Sequence, residues 1–341
     1  MIHPVNIANL QFQTVREIGQ EGRNSTTHVV HDLQLDAEIV MKKLRKCELK
    51  DPAEYFSEAR MLYQGSHANV AKILYACEDV DHIYIAMPYY PNGSLKSLME
   101  TRFLTVREIV RFGCHVLSGL HNIHSKELIH FDIKPDNLLR TERNEAVLTD
   151  FGLAKQTQFG QAAPTMIYGL VSAPEIVDPN SIDLRFDIYQ FGFALYRMCV
   201  GVDAHRDQVA TLGIQTRQEL IDAINQLTYP NRAAFPAHIP PRLSKLILKC
   251  LSPSKEDRFS SALETANALA LVDQCLDWQY FPGDDRRWTR PIEGGECIFT
   301  VSQNGTGEFV TVKNGNVRRK KAHCRTNMTE AAVRKVLRDE S

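Results

Sequence analysis

The stretch His130-Phe131-Asp132-Ile133-Lys134-Pro135-Asp136-Asn137 decides how the rest of this chain is read. It places a carboxylate at Asp132 and an amide at Asn137, five residues apart, with the Lys134 cation between them. On a loop, such a carboxylate can orient a hydroxyl and accept its proton, while the amide oxygen helps hold a metal ion. Lys134 can neutralise a phosphoryl group in transit. Thirteen residues past Asn137 comes Asp150-Phe151-Gly152, closing the strand-like run Ala146-Val147-Leu148-Thr149. A carboxylate at a strand end is well placed to chelate Mg²⁺ bridging the phosphates of a nucleotide.

Around this core the bulk properties are permissive. The 341 residues are 43% apolar and 24% charged, with a formal net charge of −1, so no global field draws the chain to nucleic acid or membrane. The length suggests two or three domains. The eight cysteines lie far apart with no C-x-x-C pair, which points to buried thiols in a reducing, cytoplasmic setting and away from a zinc or disulfide framework. Met1 to Leu10 has neither a basic start nor a long apolar run, and no signal peptide is expected. No apolar stretch approaches the ~18 residues that span a bilayer.

Along the chain, Val29-Val30, Ile39-Val40-Met41 and Ile83 to Met87 read as strands, and Pro52 to Tyr63 as a helix capped by Asp51. Val106 to His124 has helical apolar spacing, and Ile188 to Val200 is apolar on nearly every side, as a buried central helix would be. From Trp278 the texture changes. Ile298-Val301 and Phe309-Val312 alternate like strands, an Asn314-Gly315-Asn316 turn leads into Val317 to Ala322, and Thr329 caps a closing helix through about Arg338.

The two loops resemble the HRD and DFG motifs of protein kinases, and further segments extend the resemblance over roughly Val15 to Leu271. Lys42, in Ile39-Val40-Met41-Lys42, resembles the lysine that holds the α- and β-phosphates of ATP. Glu58 resembles the glutamate that pairs with it. Lys43 is a rival to Lys42, but strand alternation points it to the opposite face. His67-Ala68-Asn69-Val70 is similar to the turn after the glutamate's helix. Ala173-Pro174-Glu175 resembles the end of an activation segment, Asp187 the aspartate opening the central helix, and Arg258 the late arginine that pairs with Glu175.

The resemblance implies an α+β, bilobal kinase-like fold. Its parts are a β-rich lobe over residues 1–90, a helical lobe over 91–272, and an added α+β module over 273–341. It implies ATP and Mg²⁺ between the lobes, with Asp132, Lys134, Asn137, Lys42 and Glu58 catalytic and Asn137 and Asp150 holding the metal. Met87 would be the gatekeeper. Pro88 would offer a carbonyl and Tyr90 a backbone N–H to adenine, with Leu139 beneath the ring. The implied partner is a protein substrate carrying serine or threonine.

Three departures qualify this. Gly19-Gln20-Glu21-Gly22-Arg23-Asn24-Ser25 keeps only Gly19 and Gly22 of the family's glycine-rich phosphate loop, and it reads equally as an ordinary β-turn. Phe131 replaces the arginine that binds a phosphate on the activation segment, so activity is expected not to depend on phosphorylation there. Tyr168 stands where serine/threonine kinases place a threonine, which weakens the inference to hydroxyl class, although Lys134 favours it. A pseudokinase scaffold and a small-molecule kinase of the aminoglycoside or choline type are the competing readings. Retention of Lys42, Glu58, Asp132, Asn137 and Asp150 argues against the first, and the Glu175 and Arg258 motifs against the second. The cluster Arg318-Arg319-Lys320-Lys321 reads first as a charged, solvated edge strand; the alternative is a nucleic-acid surface with Trp278 and Trp288 as stacking groups.

Overall fold

The computed structural model describes residues 9–19, 25–48, 56–64, 66–157, 160–162, 172–178 and 181–341. It divides into two compact units, 1–91 and 92–341.

The first unit is an antiparallel five-stranded sheet with one described helix. Its strands are β1 (Phe12–Gly19), β2 (Ser25–Asp32), β3 (Ala37–Arg45), β4 (Tyr75–Glu78) and β5 (His82–Pro88), in the order β1-β2-β3-β5-β4. Helix α1 (Ser57–Gln64) follows β3; the Asp51 and Pro52 start expected for it lies outside the described residues. The β-branched and apolar residues of β3 are buried on both faces of the sheet. Ile39 and Met41 pack with Val30 and Ala86 on one side. On the other, Leu44 packs with Ala59 of α1 and with Ile83, Ile85 and Met87 of β5.

The second unit is mainly helical. It begins with α2 (Leu95–Thr101) and α3 (Val106–His124), then the short strands β6 (Leu128–Ile129), β7 (Leu138–Arg140), β8 (Ala146–Leu148) and β9 (Lys155–Gln156). Helices α4 (Arg185–Val200), α5 (Ala204–Leu212), α6 (Arg217–Asn225), α7 (Pro241–Cys250) and α8 (Ala262–Ala270) follow. A capping box starts α3: Thr105 Oγ1 accepts the Glu108 N–H at 3.3 Å and Glu108 Oε2 accepts the Thr105 N–H at 3.0 Å. From Phe186 to Cys199 every residue of α4 is buried, as its all-round apolar sequence requires. Gly192 lets α7 approach closely, since a Cβ there would sit 2.4 Å from Cys250 Cβ.

The C-terminal residues form a sheet of their own inside the second unit. Strands β10 (Gln279–Phe281), β11 (Arg286–Ile292), β12 (Gly295–Val301), β13 (Gly307–Lys313) and β14 (Asn316–Arg319) pair in sequence order, and α9 (Glu330–Asp339) closes the chain. The expected run to Ala322 stops at Arg319, where a 3₁₀ turn over Lys321–His323 takes over. Trp278 and Trp288 are not stacking surfaces: both are fully buried, packed with Phe299, Phe309, Val333 and Leu337. Trp278 Nε1 donates to the Leu337 carbonyl at 2.8 Å, and Trp288 Nε1 to His238 Nδ1 at 3.2 Å. Arg334 of α9 donates to the carbonyls of Phe235 and Ile239, and Arg107 of α3 forms a two-bond ion pair with Asp277. These contacts tie the C-terminal sheet into the helical core.

Candidate functional site

The chemistry-bearing loop runs from β6 into a 3₁₀ turn over Pro135–Asn137, and α4 holds it from beneath. Asp187, wholly buried, accepts the backbone N–H of His130 at 2.8 Å and of Phe131 at 2.9 Å, with His124 Nε2 at 2.9 Å. One turn along α4, Gln190 accepts the Ile133 N–H at 3.0 Å and donates to the Phe131 carbonyl at 2.9 Å. This clamp explains how Phe131 keeps a φ of 68°, a left-handed conformation costing a non-glycine residue about 1 kcal/mol. Its ring is buried against Phe186, 5.3 Å between centroids.

Above the clamp, Asp132, Lys134 and Asn137 converge. Lys134 Nζ lies 2.9 Å from Asp132 Oδ2, and Asn137 Nδ2 donates to the same oxygen at 2.8 Å and to the Asp132 carbonyl at 3.0 Å. Among the described residues this leaves Asp132 Oδ1 and Asn137 Oδ1 as acceptors. His130 is a structural member of the site. It is fully buried, with Nδ1 accepting the Asp132 N–H at 3.2 Å, Nε2 at 3.1 Å from the Thr149 carbonyl, and its ring against Phe151. That same Thr149 donates its N–H to the Asn137 carbonyl, so the strand leading to Asp150 is tied to the loop.

Asp150 is half-buried and follows β8 after one residue, as the sequence places it, with a φ of 60°. Among the described residues no three His, Cys, Asp or Glu side chains gather as a metal group. An Asn137 oxygen with the Asp150 carboxylate nevertheless suits Mg²⁺, which takes one or two protein oxygens and completes its shell from phosphates and water.

Two residues outside the motifs extend the site. Gln190 is one. Arg197 is the other: buried on α4, it donates to Asp136 at 3.2 Å, while Lys96 of α2 takes the other Asp136 oxygen at 3.1 Å. Burial alone would push the Asp136 carboxyl up, but the hydrogen bond from Lys96 and the charge of Arg197 hold it below the usual range. The paired Glu175 and Arg258 meet through two bonds of 2.6 and 2.7 Å, the guanidinium side chain having no solvent exposure.

In the first unit, Lys42 is buried and shares the α1-facing side of β3 with Leu44. Lys43 points to the opposite face, its Nζ 5.7 Å from the Tyr84 ring centre. Glu58 lies in α1, but its side chain is outside the described residues, as are Gly22, Thr165 and Tyr168. Gly19 ends β1. Met87 and Pro88 end β5, opposite Val40 and Ile39, and Tyr90 is half-buried beyond them. Leu139 belongs to β7 and bridges Ser94 in the second unit.

A five-stranded sheet unit, a helical unit and an Asp–Lys–Asn loop clamped by a buried carboxylate are the features of one enzyme class. The family model described as protein kinase domain matches residues 12–281, and the chain belongs to the protein kinase family. It is 26% identical over 293 residues to a Clostridium acetobutylicum protein named a probable serine/threonine-protein kinase, covering 83% of this chain and 42% of that one. It is 28% identical over 270 residues to the serine/threonine-protein kinase pkn3 of Myxococcus xanthus, covering 74% and 48%. With the serine/threonine-protein kinase PknD of Chlamydia trachomatis it shares 25% over 300 residues, covering 76% and 31%. The chain thus spans less than half the length of these relatives. No helix among its described residues is long and apolar enough to cross a membrane.

Proposed function

We propose that the chain is an active protein kinase that moves the γ-phosphoryl group of ATP to serine and threonine hydroxyls of a protein substrate, with Mg²⁺. The observation that carries this reading is the Asp132 geometry. Lys134 and Asn137 both engage Oδ2, so Oδ1 is left to take the substrate proton. The hydroxyl oxygen bonds to the γ-phosphorus as the bond to the β,γ-bridging oxygen breaks, ADP leaves, and the proton passes to Asp132. Lys134 offsets charge on the phosphoryl group in transit. Asn137 Oδ1 and Asp150 would hold Mg²⁺, which supplies charge neutralisation on the phosphates when bound. Lys42, partnered by Glu58, is assigned to the α- and β-phosphates, and Gly19 and Gly22 to backbone contacts with phosphate. Met87, Pro88, Tyr90 and Leu139 are assigned to adenine.

The names of the relatives and the presence of Lys134 support serine and threonine as acceptors. The test is an ADP-release assay with Mg-ATP and pooled peptides bearing serine, threonine or tyrosine alone. Turnover on the first two pools supports the proposal. Mg-ATP binding with no turnover on any pool would mark the chain as a nucleotide-binding scaffold.

A further inference from the structure

The basic run at the last hairpin lies outside the residues assigned to phosphoryl transfer. β14 is the terminal strand of its sheet, and all four of its residues are exposed. Its inner edge is spent on β13, with Arg318 opposite Thr311 and the Lys320 N–H donating to the Phe309 carbonyl at 2.9 Å. Alternation along an antiparallel ladder then turns the N–H and C=O groups of Val317 and Arg319 outward. Past the 3₁₀ turn the same edge continues at Arg325, which exchanges two backbone hydrogen bonds with Gly307.

Between Lys313 and Arg325 the chain holds six Lys and Arg residues and no acid, an excess that its surroundings match only in part. Arg319 meets Glu308 at 3.2 Å, and Lys320 meets Glu340. Arg318, Lys321 and Arg325 are exposed and, among the described residues, meet no carboxylate. Such an edge repels a second copy of itself and attracts an anionic strand. Single-stranded nucleic acid is disfavoured because both tryptophans that would stack on bases are in the core.

We infer that the β14 edge is a docking site for an extended acidic peptide. The peptide adds to the sheet as a sixth strand, bonded to the outward backbone of Val317 and Arg319, with its carboxylates on Arg318, Lys321 and Arg325.

The test uses the full chain and a fluorescein-labelled peptide of alternating glutamate and valine, followed by anisotropy. Binding is expected. Arg318→Glu with Lys321→Glu should weaken it about tenfold. The same peptide N-methylated at every backbone nitrogen keeps its charge but loses its strand donors on both edges, and should also bind about tenfold more weakly. Absence of binding, or equal binding of the methylated peptide, would overturn the inference. So would displacement of the peptide by polyuridylate or phosphatidylserine vesicles at matched charge. The methylated peptide is tested on the unaltered chain, so its result decides the matter even if the charge-reversed variant fails to fold.

Discussion

Asn137 holds Asp132 by two bonds from a single nitrogen, 2.8 Å to the carboxylate and 3.0 Å to the backbone carbonyl. The arrangement fixes both the rotation of the carboxylate and the turn that carries it, and it frees the Asn137 oxygen for a cation. One residue therefore orients the proposed base and contributes to the proposed metal site. The surrounding chain preserves this relationship, beginning with α4 beneath the loop.

Gln190→Leu removes the two bonds that Gln190 makes to the loop, leaving those of Asp187 in place, and leaves the Phe131 carbonyl and Ile133 N–H buried without partners. Each costs about 1–3 kcal/mol. The variant should melt lower and lose about tenfold or more in kcat with little change in KM for ATP, measured by calorimetry and steady-state kinetics. A variant with unchanged kcat would show that Gln190 does not position the loop.

Gln190 also marks the limit of what the sequence discloses. The motifs at Asp132, Asn137 and Asp150 carry their own spacing; α3, β12 and β13 announce themselves by apolar period, and α4 by being apolar on nearly every side. Gln190 and Arg197 belong to no such motif. Their one signal was polarity inside an otherwise apolar helix, where a polar residue must find a buried partner. Strands β10 and β11 were hidden for the opposite reason. Arg286-Arg287-Trp288-Thr289-Arg290 sets one large apolar residue among three arginines, and alternation puts Trp288 in the core and Arg287 in solvent.

Arg258→Met leaves Glu175 without the two-bond partner that meets it in a nearly dry site. Breaking a buried pair in this way costs about 3–5 kcal/mol. A large fall in the melting temperature is expected by differential scanning calorimetry. A fall matching that of a surface substitution would contradict the buried-pair account.

Stability should decline on mild acidification. Burial, with the charge of Arg334, pulls His238 down to about 3. Burial, with Arg197 and Arg206, pulls His205 down to about 4. Both are neutral in the folded chain and titrate near ~6.5 when unfolded. The unfolded state therefore binds more protons below that value, and stability present above it is lost as pH falls toward 4 and then 3. Each histidine contributes up to about 1.4 kcal/mol per pH unit. Urea midpoints at pH 7 and pH 5 should differ, and less so in His238→Asn.

Phosphorylation of the segment before Glu175 should not be required for activity. The Phe131 ring is buried and offers no cation to a phosphate, while Thr157 and Ser172 are each only 7% exposed. Alanine at Thr157, Thr165 and Ser172 together, with folding verified by melting, should leave turnover within about twofold of the parent. A loss of orders of magnitude would refute this.

The Asp132 carboxylate as proton acceptor is the central claim, and Asp132→Asn tests it most directly. The substitution keeps the shape of the side chain and removes its basicity, together with the charge that faces Lys134. With radiolabelled Mg-ATP, the parent chain should place phosphate on serine and threonine, in itself or in an added protein. The variant should bind Mg-ATP equally well but label at least about a hundredfold more slowly. Equal labelling by the two chains would contradict the account.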